Sequence, residues 1–296
     1  MNTLISITVL LIFMLLPLLI SGGAVFWQRR QRQLDGRRSP LKEKLVHLPG
    51  EQLRQRMLDL SDRIDTANLL LAIIGPGVLL VILLPRVQWA ALRLSWVDWG
   101  VIALAAAFCG WIVIRLLPIY REWRNCKEGM QAEIAVAQKL DRLQLQGFRV
   151  FHDIPARDFN LDHVVIGATA VFMVETKSRR KPGTGKESAQ VSYDGQCIHF
   201  PNWKEMRPLE QARAQARWLK DYLHGELGED VPVLPVVCLP GWFVTFTKQA
   251  HQSDVRVINP GFHSLFSETA GRAPLSDTQR NRIVHALLKQ YPETVD

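Results

Sequence analysis

The sequence offers little support for a protein organised by cysteine, by a phosphate loop or by a serine nucleophile. Its four cysteines, Cys109, Cys126, Cys197 and Cys238, show no C-x-x-C spacing, and Cys109 falls within an apolar run. Neither a zinc site nor a disulfide framework is therefore indicated. There is no G-x-S-x-G and no credible Ser-His-Asp order, which argues against a nucleophile-elbow hydrolase. The segment KPGTGKES (Lys181 to Ser188) glances at a Walker loop, but Glu187 stands where Ser or Thr is required and the upstream glycine is missing. It reads as a loop. Internal repeats and low-complexity tracts are absent. A charge excess is also missing where a nucleic-acid clamp would need it. Of the net +8, residues 1–124 carry 15 Lys/Arg against 8 Asp/Glu, while residues 125–296 carry 21 against 20. The basicity speaks about membrane topology first, and the near-neutral second half implies weak, salt-sensitive contact with a phosphate backbone.

What is present in the first half is three long apolar runs, Thr3 to Trp27, Ala67 to Leu84 and Gly100 to about Tyr120. Each is near the ~20 residues that cross a ~30 Å hydrocarbon core as a helix. Pro17 and the Gly75-Pro76-Gly77 trio are tolerated in such helices when neighbours satisfy the freed backbone groups. The first run lacks a basic n-region and a small-x-small cleavage site, so it reads as a retained anchor rather than a signal peptide. Gln28 to Thr66 holds ten Lys/Arg, the segment between the second and third runs holds only Arg86 and Arg93, and Arg121, Arg124 and Lys127 follow the third run. This asymmetry predicts an outer N-terminus and a C-terminal domain on the cytoplasmic side of a bacterial-type inner membrane, with Trp89, Trp96 and Trp99 in the outer interface. Arg115 lies close enough to the end of the third run to snorkel. Leu53, Met57, Leu60 and Ile64 recur at helical spacing in the basic loop, predicting an amphipathic helix that rests on lipid or on the soluble domain.

From Glu128 onward the pattern is globular. Met130, Ile134, Ala137, Leu140 and Leu143 predict a helix over 129–146, ended by Gly147. Strands are expected over Phe148 to Ile154, Leu161 to Gly167 and Ala170 to Lys177, then a hairpin at Asp194-Gly195. A helix from Pro208 to about His224, strands near Val233 to Leu239 and Val255 to Asn259, and a closing helix over 276–290 complete the list. The order implies an α/β sandwich with a mixed sheet.

The stretch DHVVIGATAVFMVETK (Asp162 to Lys177) carries the chemistry. If its two strands close symmetrically between Ala168 and Thr169, facing residues have numbers summing to 337, and Asp162 lies opposite Glu175. Lys177 falls on the same face because strand side chains repeat every two residues. Two carboxylates facing each other repel, and a divalent cation between them removes the conflict. Glu133 borders the buried stripe of the preceding helix. Alone it reads as a solvated glutamate; beside this strand pair it becomes a candidate metal ligand. His152 and His163 read as structural or surface groups, His163 pointing away from the Asp162 side.

These residues resemble the nuclease-related domain family, a branch of the PD-(D/E)xK restriction-endonuclease-like superfamily, from about Cys126 to Phe266. The matching pieces are GMQAEIAVAQKL with Glu133, GFRVFHDIP, NLDHVVIG with Asp162, VFMVETK with Glu175 and Lys177, and PLEQARAQARWL with Gln211. Glu175 stands where the family often has Asp, and Ala170 where it often has Gly. The resemblance implies a restriction-endonuclease-like fold whose mixed central sheet is flanked by helices. It also implies metal-assisted phosphodiester hydrolysis, with Asp162, Glu175, Glu133 and the Thr176 carbonyl as ligands of Mg²⁺, or of Mn²⁺ in its place. Lys177 would orient water or offset phosphoryl charge, and Gln211, with Gln215 a weaker candidate, would contact metal-bound water or phosphate. Arg179, Arg180 and Lys181 are candidates for gripping the nucleic-acid backbone; an ordinary solvated basic loop is the competing reading. The expected organisation is a first span over 1–27, a basic loop over 28–66, two spans over 67–120, the nuclease-related domain over 125–270, and a C-terminal helix and tail over 271–296. The leading expectation is a membrane-anchored nuclease acting on DNA. A tethered nucleic-acid-binding or assembly domain without catalysis is the alternative, and a channel or transporter is disfavoured by the shortage of intramembrane charge.

Overall fold

The computed structural model describes residues 48–83, 95–183, 187–261, 264–267 and 271–291. The expected first span and the Trp89 segment lie outside them. Contacts divide the chain into two compact units: Arg56–Asn125 belong to one, and Glu43–Gln55 with Cys126–Asp296 to the other.

The first unit is built from α1 (Glu51–Leu83) and the first two-thirds of α2 (Trp96–Leu140). The expected amphipathic helix falls within α1, and residues 28–47 of the expected basic loop lie outside the described residues. From Glu51 the segment is helical, and α1 continues without a break through Gly75-Pro76-Gly77. Of the predicted stripe, Leu60 and Ile64 are buried, and Leu53 lies beside Gly129, where a Cβ would come within 2.8 Å of it. Ile64 packs with Ile112 and Leu116 of α2, supported by Leu71, Ile74, Ile119 and Trp123. Trp123 Nε1 donates to Ser61 Oγ (3.1 Å), and Arg56 pairs with Glu122 (2.7 Å). Trp96, Leu104 and Ile114 stand exposed on α2, and Arg115 lies 5.5 Å from the Trp111 ring centroid. Among the described residues one helix, Trp99–Gln146, is long and apolar enough to cross a membrane.

The predicted helix over 129–146 is the tail of α2 followed by a 3₁₀ turn, Asp141–Gln146. No proline or glycine pair interrupts the chain between the third apolar run and Gly129, so nothing ends the helix at the junction. Gly147 stops it in the left-handed region (φ 86°), returning its N–H to Gln144 O.

The strands that follow form a mixed five-stranded sheet in the order β1-β2-β3-β7-β9. Its members are β1 (Arg149–Pro155), β2 (Asn160–Ile166), β3 (Val171–Thr176), β7 (Val233–Cys238) and β9 (Arg256–Ile258). β1, β2 and β3 are antiparallel neighbours, while β7 and β9 join parallel to β3. Both faces are covered, which is why β3 reads as a continuous apolar run rather than an alternating one. Val136, Leu140 and Leu143 cover Val165, Phe172, Val174 and Val236 on one side. On the other side α3 (Arg207–Leu227) and α4 (Asp277–Leu288) cover Val164, Ile166, Val171, Met173 and Val237. The buried row Leu209, Ala212, Ala216, Leu219 and Leu223 fixes the rotation of α3 and hence the direction of Gln211.

A second sheet, order β6-β5-β4-β8, was not expected. The Asp194-Gly195 hairpin does pair β4 (Gln190–Tyr193) with β5 (Ile198–His199). β6 (Lys204–Glu205) and β8 (Phe243–Phe246) extend it. Trp242 roots this sheet in the core: fully buried, it meets Phe200 and Trp203 edge-on and donates from Nε1 to Arg179 O (3.2 Å).

Candidate active site

The β2–β3 ladder runs from Ile166↔Val171 to His163↔Val174. These pairs sum to 337, and main-chain pairing stops one residue before the carboxylates. Continuing the register sets Asp162 opposite Glu175. There the Thr176 N–H turns to the Asp162 side chain, donating to Oδ2 at 2.7 Å. Glu175 is buried, with Oε1 accepting from Lys177 Nζ (2.5 Å) and from Gln211 Nε2 (2.7 Å). Its Oε2 is also buried and has no hydrogen-bond partner among the described residues. The structure thus joins Glu175, Lys177 and Gln211 by direct contact, and Asp162 to the same strand end through Thr176. Gln215 is buried four residues along α3, with Oε1 unpartnered among the described residues.

Glu133 and an additional acid, Asp153, complete the electrostatics. In β1 the pairs His152↔His163 and Ile154↔Leu161 flank Asp153, which falls opposite Asp162. Asp153 is the one non-glycine residue with positive φ (49°) among the described residues, and Asn160 Nδ2 donates to its Oδ1 at 2.7 Å. Asp153, Asp162 and Glu175 therefore occupy one row across three strands. Burial pushes Glu133 up to about 7, helped by the charges of Asp153 and Glu175 and opposed by Lys177. Burial, then Glu175 and Glu133, hold Asp162 well above the usual carboxylate range. Burial also raises Asp153. Carboxyls that push one another toward protonation are what a divalent cation relieves. Asp153 was not anticipated, although placing the β1–β2 turn between Arg157 and Asp158 would have set it opposite Asp162.

The Gly50 main chain also hydrogen-bonds Glu133. Gly50 adopts φ +77°, and a Cβ there would lie 2.9 Å from Met130 Cγ. A side chain is therefore excluded by conformation and by contact. Gly50→Ala is expected to destabilise the full chain by roughly 1–2 kcal/mol and to weaken any stabilisation by an added divalent cation, both read as thermal midpoints with and without the ion. Wild-type midpoints in both states would remove Gly50 from the site.

The basic trio is less available than its sequence suggests. Arg179 is paired with Glu205 (2.8 Å) and Arg180 with Glu128 (2.6 Å). Lys181 is exposed. His163 is buried on the face opposite Asp162, bonded to His152.

Among the described residues no three or more His, Cys, Asp or Glu side chains are assembled closely enough to hold a metal ion. The donor chemistry nonetheless fits Mg²⁺ or Mn²⁺: hard carboxylate oxygens, mutual repulsion, and one buried carboxylate oxygen without a partner. Glu175 Oε2 is the oxygen open to such an ion, while Oε1 is taken by Lys177 and Gln211.

Residues 128–240 match the nuclease-related domain. Among solved structures, Pyrococcus furiosus SfsA in complex with Ca²⁺ is similar over 44% of this chain and 54% of that one, at 16% identity and a TM-score of 0.25. At that score the similarity carries no argument about the site. No curated protein matches the chain.

Proposed function

We propose that the nuclease-related domain at residues 128–240 makes this chain a membrane-anchored, metal-dependent nuclease acting on DNA from the cytoplasmic side. The observation that carries the reading is the convergence of Asp162, Glu175, Lys177 and Gln211 at the ends of β2, β3 and α3. Asp162 and Glu175 would hold Mg²⁺ or Mn²⁺, with Glu133 directly or through water and the Thr176 carbonyl as a further ligand. When bound, the ion supplies Lewis-acid polarisation of the scissile phosphate and a more acidic water. Lys177 brings positive charge to oxygens that become more negative in the transition state. Gln211, held by the buried stripe of α3, aligns the Glu175 carboxylate. Lys181, with Arg179 and Arg180 when released from their carboxylates, would steady the nucleic-acid backbone.

The membrane assignment rests on the apolar helix Trp99–Gln146 and on the apolar runs and charge asymmetry of the sequence. It gives three spans, an outer N-terminus and an inner catalytic domain. A second reading, a tethered binding module without catalysis, is favoured by one observation: Glu175 Oε1 is already satisfied by Lys177 and Gln211. The deciding experiment is cleavage of plasmid and single-stranded DNA by the full chain in detergent, with and without Mg²⁺ or Mn²⁺. Metal-dependent cleavage supports the nuclease; retained DNA binding without cleavage supports the module.

A further inference from the structure

A second polar system lies behind the site, on the opposite face of the sheet. His163 is fully buried, and its Nδ1 stands 2.8 Å from His152 Nδ1 while its Nε2 stands 3.2 Å from Thr176 Oγ1. His152 Nε2 reaches Asp141 Oδ1 at 3.1 Å, and Asp141 is half-exposed. Tyr291 donates its hydroxyl to the main-chain carbonyl of His152 (2.6 Å), holding the backbone that carries the outer ring. The mechanism above uses none of these groups.

With both rings neutral, the donors and acceptors fix a direction. The Asp141 carboxylate only accepts, so His152 carries its proton on Nε2 and its Nδ1 accepts. His163 then donates from Nδ1, and its Nε2 is left to accept from the Thr176 hydroxyl. All four groups are satisfied with both rings neutral, and burial holds His163 well below the usual imidazole range. The chain ends where β2 and β3 part: beyond His163↔Val174 the Thr176 N–H goes to Asp162 Oδ2. Side-chain links on both faces therefore replace the ladder at the level of the carboxylate pair.

We infer that His163 is a positioning residue, which through the Thr176 hydroxyl sets the strand separation and the Asp162 carboxylate at the candidate site. The kinetic part of this inference rests on the nuclease reading; the hydrogen-bond direction does not.

The test uses the full chain carrying Thr176→Val, Thr176→Ser, His163→Phe and the double variant Thr176→Val/His163→Phe. Valine keeps the shape and the N–H of Thr176 but leaves the buried His163 Nε2 without a donor. The double variant removes that orphan, so it should melt above Thr176→Val. The expected result is about a tenfold fall in kcat at unchanged KM for Thr176→Val, for His163→Phe and for the double variant alike, with Thr176→Ser near wild type. Mg²⁺ affinity, read from thermal shifts, should fall in the same three proteins, and ¹⁵N-histidine spectra should show His163 protonated on Nδ1. Activity that rises and falls with melting temperature, or a Thr176→Val protein with wild-type kcat and metal affinity, overturns the positioning role. If the wild type does not cleave, the nuclease reading fails and metal affinity decides: a weakened Thr176→Val upholds positioning, and an unchanged one rejects it.

Discussion

Lys177→Ala is expected to reduce metal-dependent cleavage by about 10²–10³-fold while leaving Mg²⁺ affinity unchanged or tighter. The two effects separate because Lys177 plays two parts in the geometry. Its Nζ lies 2.5 Å from Glu175 Oε1, so in the metal-free site it competes with a cation for that oxygen. Removing it clears the way for the ion, but also removes the positive charge that would face the scissile phosphate. Glu175→Gln is the complementary change. It keeps the size of the side chain in a buried position, yet it deletes the charge between Gln211 and Asp162. Both metal affinity and cleavage should then fall by at least about 10²-fold. Single-turnover cleavage of labelled DNA, beside Mg²⁺ titrations followed by thermal denaturation, distinguishes the two. A Lys177→Ala protein that cuts at the wild-type rate would reduce Lys177 to a counter-charge for Glu175.

Much of this site is local in sequence, which is why it could be read there. Asp162, Glu175 and Lys177 sit on one tight antiparallel pair, where a short closing loop and an apolar run leave few registers, and the observed pairs keep the sum of 337. Gly147 and the turn at Asp194-Gly195 are legible for the same reason: each needs a backbone conformation that few residues supply. What escaped depends on distant segments. Asp153 joins the row only once β1 is registered against β2. Gly50 reaches Glu133 across 83 residues of sequence. β5 and β6 have two residues each, and β8 leaves Phe243, Thr245 and Phe246 exposed, so no alternation announces them. The helix junctions escaped for another reason. The passage of α1 through Gly75-Pro76-Gly77 is what a membrane helix allows; what sequence does not show is that the amphipathic segment joins the second apolar run in α1 and that the third run joins the following helix in α2. The basic trio was read as free charge because sequence does not show that Glu205 and Glu128 lie beside it.

The raised carboxyls give the proposed metal site a thermodynamic signature that is independent of catalysis. Glu133 rises from 4.5 to about 7, chiefly through burial and then through Asp153 and Glu175. Asp162 rises for the same kind of reason. A group whose folded pKa lies above its unfolded value favours the fold fully below the unfolded value, and that contribution disappears as pH climbs through the folded one. Without metal, the contribution of these carboxyls to stability should therefore be lost between about pH 5 and 8; a rise of this size for Glu133 is worth roughly 3 kcal/mol as an upper bound. Other groups do not alter the difference that the ion makes. Asp194, lowered to about 2 by His199, and Asp254, lowered by Arg213, lose their contribution only in more acidic solution. His163, held low by burial, acts with the opposite sign below the ordinary imidazole value. It does so with or without the ion, so it cancels when the two states are subtracted. A bound cation keeps the carboxyls ionised, since ligands must shed their protons to bind. The increase in melting temperature produced by Mg²⁺ should accordingly be small at pH 5.5 and grow steadily to pH 8. In Glu133→Gln the slope should flatten, because the group that titrates in that window is gone. A Mg²⁺ shift that is equal at every pH, or a slope that survives Glu133→Gln intact, would place the ion away from these carboxyls and leave the tethered binding module as the better reading.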